Sequence, residues 1–355
     1  MGETPITRIV QRSIALFVLV LALVLTWSHA KRVPVVRDTT LVFAPEPLPP
    51  EPVLAAHLGA FHMERAWELT LGWAQFGGYS ALVPLPDGRL LAISDYGKYL
   101  AFTPPDAPVR ATPRYGTLIP TPHGDKRVVD VESATRDPAT GRIWLGLEFL
   151  NAVVRLGPDL TEQARVRPEA IAGWAENTGT EAMARLHDGR FVLLSEGPRQ
   201  WWRPSLHEAV IFPGDPVARP EAAQRFTFNG PSGFDPVDMA QLPDGRVLVL
   251  MRTLVWPFPM RFAGRIAIGD PRDIRPGGVW HVTEVARLSS ALPVDNFEGL
   301  AVVPRPDGKL TVWLISDDNQ AKLQRTLLWK LVVDPAELPG YERTREKARG
   351  SLPTP

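Results

Sequence analysis

The stretch TEAMARLHDGRFVLLSE, residues 180–196, decides the fold. It consists of a short and largely apolar run, a turn with the sequence Asp188-Gly189, and a second run in which Phe191–Leu194 are all apolar. Asp-Gly between two apolar runs predicts a β-hairpin, because glycine adopts positive φ angles without a steric cost. A strand with one face in water alternates apolar and polar residues, so the continuous apolar run indicates a hairpin that is covered on both faces.

The same pattern occurs four more times along the chain. The other copies are YSALVPLPDGRLLAISD (79–95), VESATRDPATGRIWLGLE (131–148), VDMAQLPDGRVLVLMR (237–252) and FEGLAVVPRPDGKLTVWLISD (297–317). Hairpins of this kind, with starts 49 to 60 residues apart, are typical of the blades of a β-propeller. A parallel α/β fold needs long amphipathic helices between its strands, and the sequence has none there. We therefore predict an all-β fold, a β-propeller built from four-stranded antiparallel sheets.

The repeats leave the number of blades at five or six. Five copies predict five blades, with segments such as Ala209–Phe212 and Arg225–Phe228 as outer strands. Two further strand candidates, residues 57–76 and Leu327–Val333, lie outside the repeats. They either close the ring or complete a sixth blade.

Composition excludes several classes of protein. The chain has 355 residues, of which 45% are hydrophobic and 22% are charged, as in a globular protein with a large core. Its formal net charge is zero, so bulk electrostatics gives no support for a nucleic-acid partner, and we expect none. It has no cysteine, so the fold depends on its own core and not on disulfides.

The N-terminal 30 residues have the order of a secretory signal. Arg8 and Arg12 precede the apolar run Ile14–Trp27, and Ser28-His29-Ala30 follows it. The run has 14 residues, fewer than the ~18 of a spanning helix. We expect a signal peptide over 1–30 that is cleaved after Ala30, with an uncleaved anchor in the inner membrane as the alternative. In both cases the body of the protein is periplasmic or secreted.

The remaining chain divides into three parts. Residues 31–54 are rich in proline and predict an extended linker. Residues 55–340 contain the repeats and are the predicted propeller domain, which we expect to be a monomer. Residues 341–355 are the predicted flexible C-terminal tail.

Charged residues recur at fixed distances from the turn glycines. Because a hairpin returns to where it began, positions before and after the turn meet at the end of the hairpin opposite the turn, which we call the open end. The ten open-end positions are Ser80, Glu132, Glu181, Asp238 and Glu298 before the turns, and Asp95, Glu148, Glu196, Arg252 and Asp317 after them. Eight of these ten are carboxylates.

So many carboxylates at one end need compensation. Like charges repel and raise one another's pKa, and the nearby cations are few: Arg252, Lys98, Lys322 and Arg325. Calcium takes six to eight oxygen ligands, which makes Ca²⁺ the hypothesis for this end. The predicted metal ligands are Asp95, Glu132, Glu148, Glu181, Glu196, Asp238, Asp317 and Asp318. The alternative for any one of them is a structural role, in which the carboxylate accepts backbone N–H bonds from the neighbouring blade.

Other candidate residues have simpler explanations. Trp201-Trp202 could form a substrate platform, but we expect them to pack. His123 and His187 could act as acids or ligands, although His187 lies beside a turn and is expected at the surface. The sequence has no Gly-x-Ser-x-Gly elbow, no cysteine nucleophile and no Gly-rich phosphate loop, which disfavours a serine-triad esterase.

Several of these motifs match a known family. They are Ser94-Asp95-Tyr96-Gly97, Asp130-Val131-Glu132, Asn177 with Glu181, Ser195-Glu196-Gly197, Asp295-Asn296-Phe297-Glu298-Gly299-Leu300-Ala301, and Ser316-Asp317-Asp318-Asn319 followed by Gln324-Arg325-Thr326. From about Gly77 to Val333 the chain resembles the bacterial family described as esterase-like activity of phytase, a group of predicted propellers. The resemblance implies hydrolysis of phosphate or carboxylic esters. Two departures are the missing Asp-Gly of the second repeat and Arg252, which replaces an acid in the fourth repeat, as a basic residue does in the family.

Two functions remain open at this point. In the first, the protein is a metal-assisted hydrolase of small-molecule esters or phosphate esters, in which Arg252 and Arg325 clamp the substrate and Glu298 is the general base. In the second, it is a non-catalytic propeller that binds a glycan, a peptide or an envelope partner at the same acidic end. We expect the membrane to be involved only through an uncleaved N-terminal anchor.

Overall fold

The computed structural model describes residues 5–27, 40–120, 126–198, 202–257 and 260–342. Two α-helices occur in these ranges, α1 (Pro5–Trp27) and α2 (Glu51–Leu58). Among the described residues, no helix combines the length and the apolar content needed to cross a membrane. The strands form five separate sheets, so the predicted all-β propeller is confirmed and has five blades.

Strands before and within the first two repeats build blades 1 and 2. The strands that precede the repeats are β1 (Val42–Pro45) and β2 (His62–Thr70). Blade 1 consists of β3 (Tyr79–Pro84), β4 (Leu90–Ser94), β5 (Lys98–Phe102) and β6 (Arg114–Thr117). Blade 2 consists of β7 (Val131–Arg136), β8 (Ile143–Leu147), β9 (Ala152–Leu156) and β10 (Glu162–Val166). In both blades the strands are neighbours in chain order.

Blades 3 and 4 are linked by one strand that crosses between them. Blade 3 contains β11 (Thr180–Arg185), β12 (Phe191–Pro198), β13 (Leu206–Phe212) and β14 (Gln224–Asn229). Blade 4 contains β15 (Asp235–Gln241), β16 (Val247–Pro257), β17 (Met260–Gly269) and β19 (Thr283–Leu288). The short β18 (Val279–His281) leaves blade 4 and pairs in parallel with β14, which gives blade 3 a fifth strand.

Blade 5 closes the ring with strands from both ends of the chain. It contains β20 (Asn296–Pro304), β21 (Leu310–Asp317) and β22 (Leu327–Val333). The N-terminal β2 pairs antiparallel with β22, and β1 pairs with β2 at the outer edge. The two strand candidates outside the repeats therefore belong to the same sheet, which is why there is no sixth blade.

The segment expected to be a linker is partly folded. Residues 42–58 contain β1 and α2, and Leu54 and Leu58 of α2 are buried in the core. Proline does not prevent this, because β1 is an edge strand and Pro52 lies in the first turn of α2, where no N–H partner is lost. The expected cleavage site after Ala30, residues 31–39 of the linker and all but two residues of the C-terminal tail lie outside the described residues.

The hairpins have the predicted local structure. The turn glycines Gly88, Gly141, Gly189, Gly245 and Gly308 all have positive φ, between 74° and 96°. The strands β4, β8 and β21 that follow three of these turns are buried along their whole length. The first strands of the hairpins, β3, β7, β11, β15 and β20, contact one another in a ring around the axis. This arrangement places the open ends of all five hairpins together.

Apolar and aromatic side chains fill the spaces between strands and blades. Trp144 of blade 2 lies 4.9 Å from the ring of Phe191 in blade 3, and Trp329 lies 4.6 Å from Phe297 within blade 5. Both tryptophans are buried. A rigid framework of this kind fixes the open ends of the hairpins relative to one another.

Candidate functional site

Four of the five inner strands have an irregularity at their open-end residue. The ladder between first and second strand shifts register at Ser80, Glu132, Glu181 and Glu298. An extra residue of this kind, a β-bulge, is left out of the pairing and re-aims its side chain. The bulge explains how successive blades can present a polar side chain at the same place within an otherwise apolar strand.

Blade 4 differs by one residue. Its register shift lies between Pro236 and Asp238, so Val237 occupies the bulge and Asp238 pairs within the ladder. The Asp238 carboxylate accepts hydrogen bonds from the backbone N–H of Met239 at 2.8 Å and of Leu300 at 2.7 Å. Burial raises the pKa of Asp238, and these backbone donors oppose the rise. The structure thus places Asp238 as a tie between blades 4 and 5, apart from the other acids.

Nine carboxyl side chains from all five blades meet at the open end. We call them the carboxylate cluster: Asp95, Asp130, Glu132, Glu148, Glu181, Glu196, Asp235, Glu298 and Asp317. Seven of them were singled out from the sequence as ligands or as the general base. The electrostatic influence between members links the whole set, since Glu298 of blade 5 raises the pKa of Asp95 in blade 1 and of Glu132 in blade 2.

Lys126 is the cation on the side of blades 1 and 2. Its Nζ lies 2.9 Å from Asp95 Oδ2, 2.8 Å from Asp130 Oδ1 and 3.8 Å from Glu132 Oε1. These neighbours raise the pKa of Lys126 in spite of its burial, so it remains charged. It comes from the loop that connects the first two blades.

Arg252 is the cation on the side of blades 3 to 5. Its Nη2 lies 3.0 Å from Glu196 Oε1 and its Nε lies 3.1 Å from Glu298 Oε1. The carboxylates raise the pKa of Arg252 although burial acts in the opposite direction. The ion pairs and electrostatic neighbours found for the cluster thus include two cations and nine carboxylates, which leaves a large excess of negative charge.

Two groups of three carboxylates are close enough to share a cation. One is Asp130, Glu132 and Glu148, the other is Glu148, Glu181 and Glu196, and in each group one oxygen per residue lies within 4.8 Å of the others. Glu148 belongs to both groups and is hydrogen-bonded to Glu181. A hydrogen bond between two carboxyl groups requires a proton, because ionised carboxylates have only acceptors.

Burial and mutual repulsion shift the titration of the cluster upward. Burial is the largest cause and raises the pKa of Asp95, Glu148 and Asp235 to about 7. The pKa values of Glu132 and Glu181 rise further, well above the usual range of a glutamate, because each is buried among other acids. Desolvation disfavours the charged form of an acid unless an opposite charge compensates it.

The donor set fits a hard divalent cation. All candidate ligands are carboxylate oxygens, which suit Ca²⁺ and not the softer metals that prefer sulfur or imidazole. Among the described residues, Asp95 Oδ1 is buried and has no hydrogen-bond donor. Gly78 makes room for this atom, because a Cβ there would lie 2.6 Å from Asp95 Oδ1. An orphaned buried oxygen beside the three-carboxylate groups is what a cation would satisfy.

Asp317 and Asp318, adjacent in sequence, have different surroundings. Asp317 is buried, and Glu298 and Asp95 add to the effect of burial in raising its pKa well above the usual range. Asp318 instead closes its own loop: its carboxylate accepts from the backbone N–H of Gly78 at 3.0 Å and from Thr326 Oγ1 at 3.0 Å. Asp318 therefore holds the loop of blade 5 against blade 1.

Arg325 points away from the cluster. Its Nη1 lies 2.9 Å from Glu46 Oε2 and 3.7 Å from Glu68 Oε2, at the outer strands of blade 5. The expected pair of arginine clamps is thus not formed in this structure, and Arg252 is the arginine that reaches the acids. The sequence could not show this, because Glu46 lies in the segment expected to be a linker.

Three members of the site were missed in the list of predicted site residues. Asp130 and Asp235 are each two residues or more from the counted positions, although Asp130 is part of a family motif. Lys126 belongs to a loop that has no counterpart in the other repeats. Counting from turn glycines finds residues on strands, and loop residues have no such fixed offset.

The remaining candidates lie elsewhere or outside the described residues. His187 lines a second cavity of about 330 Å³ at the turn end of the axis, which contains no member of the carboxylate cluster. Trp202 is 59% exposed and is not packed in a blade, contrary to expectation. Trp201 and His123 lie outside the described residues.

Comparison with known proteins identifies a family by sequence. The model of the family described as "Phytase-like: Esterase-like activity of phytase" matches residues 74–320, which is more than half of the chain. A search of curated proteins finds no match.

Comparison with solved structures finds other chains with a related arrangement of strands. The hydrazine synthase of Kuenenia stuttgartiensis aligns with a TM-score of 0.36 and 11% identity over 70% of this chain and 59% of its own, so this chain spans less than two thirds of it. A protein from Lactobacillus plantarum aligns with a TM-score of 0.33 and 12% identity over 71% and 70% of the two chains. The WD40 repeats of RRP9 give 0.38 and 7% over 72% and 95%.

Proposed function

We propose, for a chain that belongs to the phytase-like family described as esterase-like activity of phytase, that it hydrolyses phosphate or carboxylic esters of small molecules at the carboxylate cluster. One observation carries the proposal: nine carboxylates from five blades meet two cations, and two groups of three carboxylates share Glu148. Residues with strongly shifted pKa values that converge at one end of a rigid fold are candidates for chemistry.

Calcium is the cation that we propose for this site. Asp130, Glu132 and Glu148 would hold one ion, and Glu148, Glu181 and Glu196 the same ion or a second one. When bound, calcium neutralises oxygens of the ester and lowers the pKa of a bound water. In this proposal Asp238 and Asp318 are not ligands, because their carboxylates are already engaged by donors of the protein.

Glu298 is our candidate for the general base. Asn296 Nδ2 donates to Glu298 Oε1 at 2.7 Å, and Arg252 Nε lies 3.1 Å from the same oxygen. These two contacts fix the carboxylate, and burial raises its pKa, which favours proton uptake near neutral pH. We assign the proton from the attacking water to Glu298 Oε2.

Arg252 is our candidate for orienting the ester. Its two ion pairs involve different nitrogens, and a guanidinium has five N–H donors, so donors remain for an oxygen of the substrate. Arginine suits this task because its planar fork matches the geometry of phosphate and carboxylate groups.

A hydrolase screen tests the proposed function. The purified protein is assayed with aryl phosphates and aryl carboxylic esters, first with calcium and then with EDTA. We expect turnover in calcium, its loss in EDTA and its recovery when calcium is restored. Calcium binding without turnover of any ester would contradict the hydrolase and favour a binding protein at the same acidic end.

We also propose that residues 1–30 direct export and that the body acts as a monomer in the periplasm or outside the cell. The order of basic, apolar and small residues in this segment supports the proposal. N-terminal sequencing of the mature protein should begin at Lys31, and recovery from the cytoplasmic fraction would contradict export.

A further inference from the structure

A second cavity lies on the side of the carboxylate cluster, between blades 4 and 5. Its volume is about 370 Å³, and Met260, Phe262, Leu292, Val294 and Leu323 are among its lining residues. This volume is at the lower end of the range for ligand pockets, roughly 300–1,000 Å³. It is large enough for a small organic group.

The cavity and the cluster share a wall. The Arg252 guanidinium carbon lies 5.8 Å from the centre of the Phe262 ring, and Phe262 is part of β17, which pairs with the strand of Arg252. Asp295 also lines the cavity, and the next residue, Asn296, donates to Glu298. A molecule in the cavity therefore lies beside both the proposed base and the proposed orienting arginine.

The lining is apolar with a cationic edge. Leu323 is 54% exposed, so part of its apolar surface is in water and would be covered by an apolar ligand. Arg261 lines the same cavity, and no carboxylate of the described residues lies within ion-pair distance of it. The Asp295 carboxylate is engaged by the backbone N–H groups of Asn296 at 3.0 Å and Arg325 at 3.1 Å.

The acidic end is poorly suited to a ligand with many phosphates. Lys126 and Arg252 are already paired with carboxylates of the cluster, and excess negative charge repels a polyanion. An ester with a single reacting group and an apolar body matches both the cluster and the neighbouring cavity.

We propose that the cavity between blades 4 and 5 binds the apolar organic group of the substrate, so that the protein acts on aryl or short alkyl esters and not on polyphosphorylated polyols. The statement about turnover rests on the proposed hydrolase, and the statement about binding does not.

Two phosphonates, which are not hydrolysed, test the binding. Isothermal titration in calcium should give phenylphosphonate an affinity about tenfold higher than that of methylphosphonate, because the phenyl group leaves water. Leu323→Ser should reduce the preference for phenyl, and since Leu323 is half-exposed the variant should fold. Val109→Ser is the matched control, because Val109 is 79% exposed and lies between β5 and β6 of blade 1.

Phe262→Leu provides a second test from the shared wall, and we expect it to reduce the same preference while circular dichroism stays unchanged. Equal affinities for the two phosphonates, or a phenyl preference that neither variant lowers, would overturn the proposal. Comparison of phenyl phosphate with inositol hexakisphosphate then tests the substrate class by kcat/KM. Phenylphosphonate binding without turnover of any ester would contradict the hydrolase alone, whereas turnover with no preference for phenyl would contradict the cavity alone.

Discussion

Glu148 and Glu181 come from neighbouring blades and are joined by a hydrogen bond between their carboxyl groups. One proton must be present for this bond to form. The same two residues belong to a group of three carboxylates within 4.8 Å. A divalent cation and a proton therefore compete for the same oxygens, and calcium binding should release protons.

Calcium should stabilise the folded protein by mass action. At about 100 times the dissociation constant, a ligand that binds only the folded state contributes about 2.7 kcal/mol. Glu181→Gln keeps the shape of the side chain and removes one charge, so we expect it to reduce the calcium-dependent rise in melting temperature. Differential scanning calorimetry with calcium and with EDTA measures both effects.

Glu208→Gln is the control for the loss of one charge. Glu208 is exposed on β13 of the same blade and lies outside the cluster. Its variant should respond to calcium as the unchanged protein does. A melting temperature that neither millimolar calcium nor EDTA moves would leave the carboxylates with a purely structural role.

Without calcium, the protein should become less stable as the pH rises. Asp95, Glu148 and Asp235 have folded-state pKa values of about 7, above those of the unfolded chain, so the folded state binds more protons between about pH 5 and 7. Their stabilising effect is complete below the unfolded pKa and is lost as the pH rises through 7. Urea unfolding in EDTA should give a free energy of unfolding lower at pH 8 than at pH 5 by on the order of 2 kcal/mol.

Calcium should reverse this dependence, because the cation favours the ionised carboxylates. The comparison of pH series with EDTA and with calcium therefore separates the cluster from other titrating groups. Equal slopes in the two series would mean that the cluster does not hold calcium.

Asp238→Asn should destabilise the propeller without changing its response to calcium. An amide has one oxygen and one NH₂ group, so it cannot accept from both Met239 and Leu300 as the carboxylate does. We expect a loss of about 1–3 kcal/mol in the free energy of unfolding. Normal stability together with a lost calcium response would instead place Asp238 among the ligands.

Asp238 also shows where sequence reasoning reaches its limit. Ser80 and Glu181 stand eight residues before their turn glycines, and eight residues before Gly245 stands Val237. The acid next to it was chosen because it is an acid, but a shift of one residue in a strand changes the face of the side chain. The fold was predictable because five hairpins repeat one pattern, whereas the bulge that decides between neighbours depends on tertiary pairing.

The cations of the site illustrate the same limit. Arg252 was found because it ends a repeated strand, but Lys126 lies in a loop, where periodicity carries no direction. Arg325 was expected at the site, and its partner Glu46 became visible only when β1 was found in blade 5. Contacts between segments far apart in the chain are set by ring closure, which the sequence left open.

Arg252→Lys should impair catalysis more than folding. Lysine keeps the positive charge, but a single ammonium group cannot reproduce the two-nitrogen contact with Glu196 and Glu298 while donating to a substrate. We expect kcat/KM for an ester that the protein hydrolyses to fall by about 10–100-fold, with a small change in melting temperature in calcium. Arg287→Lys is the matched control, since Arg287 is in β19 of the same blade, has a side chain that is 65% exposed and pairs with Glu284 at the surface. Equal kcat/KM values for the two variants would remove Arg252 from the mechanism and leave it as a counter-ion that holds two buried acids together.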